Sequence, residues 1–190
     1  QPMGLSLGLM GKVAGTMNKT AAKVSLMGLL FALAMTFSYL ESMLVIPGLL
    51  PGIRLGLSNL VTMYCLFFLG KRAGYTMAVM KAVFVVLTRG FVAGMLSLSG
   101  GIFSVTAIVL VDFLSKHSLH YITLSVIGAI FHNIGQLILA RYLTSVFLYY
   151  YIPVLLVTGL VVGIITGKLF VWIIPYIPKR YRTQLREHRK

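Results

Sequence analysis

The sequence predicts an all-α integral membrane protein with six transmembrane helices, and three observations carry that prediction. Mean hydropathy is +0.94, and only 11% of the 190 residues are charged, against roughly 25% in soluble domains. Uncharged stretches of nearly bilayer-crossing length recur along the chain. The basic residues then collect in alternate connections, as the positive-inside rule asks. Six helices of about 20 residues use about 120 residues, which leaves no room for a separate soluble domain. Alternating barrel patterning is absent. The composition argues against a soluble enzyme. The net charge of +14 would suggest nucleic acid in a soluble protein. Here no aromatic-basic surface accompanies it, and basic loops that orient the chain and touch anionic membrane lipid explain it better.

Each element has its own justification. Gln1–Thr20 is rich in Gly and Met, carries Lys12 and Lys19, and is too interrupted for a span. Residues 1–22 read as a cytoplasmic arm or an amphipathic surface helix. The membrane domain covers residues 23–178. Its first span is Val24–Leu40, bounded by Lys23 and Glu41, and its second is Leu55–Gly70, between Arg54 and Lys71. The third is Ala73–Thr88, apolar apart from Lys81, and the fourth is Gly90–Val111, ended by Asp112. The fifth, Tyr121–Ala140, holds only His132 as an ionisable group, and the sixth is Tyr142–Gly167, with apolar character reaching Ile177. Residues 179–190 form a basic tail in which Glu187 is the one acid.

Placing that tail in the cytoplasm puts the N-terminus there too. Lys71 and Arg72, and then Lys116, follow on the same side, while Arg54, Arg89 and Arg141 stand singly on the outside. The outer connection between the first two spans contains Pro47, Gly48, Pro51 and Gly52, which break any helix. It reads either as a hydrophobic hairpin or as a lid over an outward-facing pocket.

Polar residues within the spans mark candidate sites. Lys81 stands mid-span, where a charge costs about 3 kcal/mol on insertion scales. Arg89 follows eight residues later, near the outer end of the same span and on a shared face. They point to a functional cavity; the alternative is that Lys81 snorkels or pairs with a backbone carbonyl. His132, Asn133 and Gln136 form a polar trio at helical spacing, readable as interhelical glue or as substrate contacts. One His with two amides is a poor metal set, and the single cysteine, Cys65, reads as a small buried apolar residue. Gly28 and Ala32, and separately Gly159, Gly163 and Gly167, repeat at four, a spacing that lets helices approach within the chain or with a partner.

Three segments carry a specific resemblance: Pro51-Gly-Ile-Arg-Leu-Gly-Leu-Ser-Asn59, Ser97-Leu-Ser-Gly-Gly101 and His132-Asn-Ile-Gly-Gln136. With the six-span layout, over about residues 23–175, the chain resembles the bacterial Gx transporter family, often labelled heptaprenyl diphosphate synthase component I. That family is similar in design to the substrate-binding S components of energy-coupling-factor transporters. The resemblance implies an S-component-like bundle in the bacterial cytoplasmic membrane with a ligand pocket on the outer half. It implies a coupling membrane subunit and an ATPase pair as partners, with Gly28 and Ala32 docking the coupling subunit. Arg54 stands where a basic residue is expected.

The label and the chemistry disagree. Prenyl diphosphate synthesis needs Asp-rich clusters that bind several Mg²⁺ ions, and Asp112 is the one aspartate here. Gly167-Lys168 lacks the rest of a phosphate loop, and no Ser-His-acid or Cys-His constellation is evident. The chain therefore reads as no enzyme, with no cofactor and no metal. The expected function is a substrate-binding membrane subunit of an uptake transporter for a small solute. An anionic solute is expected because Arg54, Lys81, Arg89 and Arg141 outnumber Glu41 on the outer half. Arg54, Asn59, Lys81, Arg89, His132, Asn133 and Gln136 are the candidate substrate contacts. The alternative is a non-transport membrane subunit serving an isoprenoid-quinone or extracellular flavin electron-transfer system.

Overall fold

A computed structural model describes residues 3–43, 56–143 and 152–176, and all its described elements are helical. In order they are α1 (Met3–Met43), α2 (Leu57–Tyr64) running on into a π turn (Cys65–Leu69), α3 (Lys71–Arg89), α4 (Phe91–Leu114), α5 (Tyr121–Leu143) and α6 (Ile152–Ile173), which ends in a 3₁₀ turn (Ile174–Tyr176). Four helical segments are long and apolar enough to cross a membrane: Ala21–Glu41, Phe91–Leu114, Tyr121–Leu143 and Ile152–Tyr176. Large apolar side chains such as Leu29, Leu87, Phe91, Val157 and Trp172 stand exposed on the outer surface, where hydrocarbon rather than water is the fitting solvent. The protein is membrane-embedded.

The two remaining helices fall short for different physical reasons. The apolar helix Leu57–Leu69 is too short, but it lies at the centre. Ser58, Leu60, Val61, Thr62 and Met63 are buried in α2, and Cys65, Leu66, Phe67 and Phe68 in the π turn. Its apolar residues face the neighbouring helices, and its Ser58 and Asn59 face an internal cavity, so it belongs inside the bundle. The wide π turn lets four consecutive side chains face protein. The α3 helix carries Lys71, Arg72, Lys81 and Arg89, which lower its hydropathy.

Packing follows chain order. The most extensive contacts join α3 to α4, α4 to α5 and α5 to α6, while α1 lies on α2 and α3, and α2 reaches α6. Gly70 and Gly90 link successive helices with φ of 99° and 92°, a backbone state in which a side chain is strained, so the chain reverses on one residue at each corner. The glycines of α6 mesh with α5. A Cβ on Gly163 would lie 2.5 Å from Val126 Cα, and one on Gly167 would lie 2.8 Å from Ile122 Cα. This stripe therefore packs within the chain. Gly28 has nothing within 4 Å, and both it and Ala32 face outward. Cys65 is fully buried beside Ala34, Met35 and Met77.

Two boundaries differ from the sequence expectation. The α1 helix is continuous from Met3 through Lys19 and Lys23 to Met43, so the arm and the first span are one helix of about 60 Å at 1.5 Å per residue. Residues 142 and 143 close α5, and α6 begins at Ile152, with Pro153 in its first turn, a position that suits a residue lacking N–H. An uncharged stretch contains no charge to mark such a boundary.

Candidate functional site

The site grows from the N-terminus of α2. The Glu41 carboxylate, at the end of α1, accepts the Leu57 N–H, so an acid meets the positive end of a helix dipole. Two residues on, the Asn59 side-chain oxygen accepts a hydrogen bond from Lys81 Nζ at 2.8 Å. Glu41 and Lys81 are both buried, at 6% and 7% exposure. Polar contacts thus run from α1 through α2 to α3 inside an apolar bundle.

The opposite wall comes from α4, α5 and α6. Ser99 Oγ donates to Gly135 O at 2.7 Å. A Cβ on Gly100 would lie 2.8 Å from His132 Cε1 and 2.9 Å from Gln136 Cγ. The Ser97–Gly101 and His132–Gln136 segments are therefore packing partners, with the small residues of α4 making room for the polar trio of α5. Asn133 Nδ2 donates to Leu155 O on α6 at 2.8 Å, so this amide does serve as interhelical glue.

These walls enclose a cavity of about 210 Å³. Glu41, Asn59, Lys81, His132, Asn133 and Gln136 all line it. Ser38, Ser58, Ser97 and Thr158 add hydroxyls, and Met35, Val85 and Leu96 add apolar surface. Cavities that bind small molecules commonly pair an apolar lining with a few placed polar groups; this one is unusually polar for its surroundings.

Five of the seven residues singled out in the sequence line this cavity: Asn59, Lys81, His132, Asn133 and Gln136. Arg54 lies outside the described residues. Arg89 does not line it. Its Nη2 donates to Ser38 O at 2.9 Å, behind the wall that Ser38 presents to the cavity. Eight residues at about 100° each leave Lys81 and Arg89 some 80° apart around α3, enough to separate them. Arg141 is exposed at the end of α5. Among the described residues, then, Lys81 is the one Lys or Arg on the cavity, and Glu41 shares it, so the excess of positive charge expected there is not gathered.

Sequence reasoning passed over Glu41, Ser38, Ser58, Ser97 and Thr158 as site residues. Glu41 carried a usable signal, as one of three acids in the chain, placed at the end of an apolar stretch. Hydroxyl residues are common in membrane helices and gave none.

A family model described as heptaprenyl diphosphate synthase component I matches residues 30–171. The chain belongs to the heptaprenyl diphosphate synthase component I family. The match spans every cavity-lining residue named above and Ala32, but begins after Gly28. It agrees with the resemblance drawn from the Pro51–Asn59, Ser97–Gly101 and His132–Gln136 segments. Among curated proteins and among solved structures, nothing matches this member of the family.

Proposed function

We propose that this family member is the solute-recognising subunit of an energy-coupling-factor-like uptake system in the bacterial cytoplasmic membrane. The observation that carries the reading is the polar cavity. A lysine, a glutamate, a histidine and three amides line one space inside a membrane-embedded bundle, and ionisable groups at such depth mark substrate paths more often than structure. In this reading all six helices cross the membrane, both termini are cytoplasmic, and the cavity faces outward. The chain supplies recognition alone. A coupling membrane subunit and an ATPase pair supply energy, and the outward-facing Gly28 and Ala32 offer α1 for close approach. The cavity suits a small solute with both hydrogen-bond donors and acceptors. Its one ammonium can take an acidic group, and Glu41 in the same lining favours a ligand that also donates. The chain performs no catalysis in this scheme.

The family description favours a second reading, as an accessory membrane subunit in isoprenoid or quinone metabolism. Co-purification separates the two: an ATPase pair supports uptake, and a prenyltransferase or redox protein supports the second. The cavity itself is tested by native mass spectrometry of the gently purified protein. Lys81→Met keeps a long apolar stem without the charge and should abolish retention of a co-purifying small molecule, with helicity and elution unchanged. Retention equal to wild type would reduce Lys81 to a structural role and remove the ground for this reading.

A further inference from the structure

A second and larger cleft, of about 520 Å³, lies at the end of the bundle that holds the α2–α3 and α4–α5 connections. Lys23 of α1 and Lys71 and Arg72 of α3 line it. Leu69 and Val109 are partly exposed beside these cations, with the buried Leu66, Phe67 and Ile108 behind them. The three basic side chains are exposed and have no hydrogen bond or ion pair among the described residues. The carboxylate in the lining, Asp112, is engaged by His117, whose Nδ1 lies 2.7 Å from Asp112 Oδ2. That contact is set by a turn in which Lys116 and His117 both adopt positive φ. Free cations thus share the cleft with an acid that already has a partner.

We infer that this cleft binds the phosphodiester headgroup of an anionic phospholipid, with the start of an acyl chain against Leu69 and Val109. Both halves of the ligand are read from the lining. Three cations from two helices border one cleft, as in basic pockets between membrane helices. The N-terminal amides of α3, which follow Gly70 without a side-chain cap, add donors at the same place. A soluble phosphate would use the cations but not Leu69 and Val109, so an amphiphile uses more of the cleft. Basic residues that served only to orient the chain would need no cleft among them. The site is separate from the polar cavity: the two linings share no residue.

The test uses the full chain in nanodiscs or mild detergent, with phosphatidylglycerol and phosphatidylcholine as probes. Native mass spectrometry should show one phosphatidylglycerol retained on the wild-type protein and far less phosphatidylcholine. The triple variant Lys23→Gln, Lys71→Gln, Arg72→Gln should lose phosphatidylglycerol retention by about a hundredfold, since each of the three charges contributes on the order of 1 kcal/mol toward an anionic lipid. Lys23→Arg, Lys71→Arg, Arg72→Lys should retain it, which controls for folding. Arg141→Gln, an exposed cation elsewhere, should leave it unchanged. Equal retention by the triple glutamine variant, or equal loss in Arg141→Gln, would overturn the site. Displacement of the lipid by millimolar inorganic phosphate would overturn the lipid assignment in favour of a soluble phosphate. Loss of this lipid with solute retention intact distinguishes the cleft from the cavity.

Discussion

An ammonium group buried in an apolar bundle needs a polar neighbour, and Lys81 finds one in the Asn59 amide 2.8 Å away. The Asn59 oxygen is in turn fixed by its place in the first turn of α2, whose backbone is tied to Gly56 and whose N-terminus is met by Glu41. Glu41 therefore acts on the cavity through geometry as well as charge. Replacing it with alanine strands a part-buried N–H, at a cost of about 1 kcal/mol, the low end for an unsatisfied buried group. Glu41→Ala should lower the thermal unfolding midpoint in detergent, and Glu41→Gln, which keeps an acceptor, should lower it less. Equal midpoints for both variants and wild type would remove the cap from the account. His132 makes a smaller case. It lines the cavity, and a single hydrogen bond from it to a solute would contribute about 0.5–1.5 kcal/mol. His132→Ala should weaken solute retention by roughly three- to tenfold, against complete loss in Lys81→Met; an effect as large as that of Lys81 would mean that the imidazole is charged or structurally central.

Helices show why one small-residue spacing has two outcomes. Gly159, Gly163 and Gly167 occupy the seam with α5, and an added Cβ at Gly163 meets backbone that cannot yield. Gly28 has open space. Gly163→Leu should destabilise the protein by about 3 kcal/mol or more, the upper range of overpacking, seen as lost monodisperse protein or a sharply lower unfolding midpoint. Gly28→Leu should leave both unchanged and instead weaken association with a coupling subunit. A stable Gly163→Leu variant would show that the seam relaxes, and unchanged complex yield in Gly28→Leu would take α1 out of the docking proposal. Among the described elements, α2 is another lesson at this scale. Its apolar residues were legible, but its place at the centre was not, because an apolar side chain facing protein looks in sequence like one facing lipid.

For the molecule as a whole, the six-crossing arrangement is the reading most open to a direct check. It places the α3–α4 corner outside and the α4–α5 connection inside. Single cysteines at Thr88 and Ser118, both exposed positions, should label oppositely in intact cells: Thr88→Cys reacts with an impermeant thiol reagent and Ser118→Cys is protected. Native Cys65 is fully buried and should give no background. Labelling of both positions from one side would overturn this topology.

Sequence alone determined the solvent, the helical class and half of the polar residues named in the cavity. Each is a property of composition or of local spacing: charge is too costly to scatter through hydrocarbon, so the few polar residues kept there stand out. The same reasoning could not decide which of them meet. Lys81 and Arg89 belong to one helix, yet only Lys81 reaches the cavity, because the helical phase separates them. Glu41 joins Asn59 and Lys81 across three helices only because α1, α2 and α3 pack together. The inward glycines of α6 and the outward Gly28 of α1 share a spacing and differ in neighbours. Convergence depends on distances between segments far apart in the chain, and those are set by packing rather than by any local run of residues.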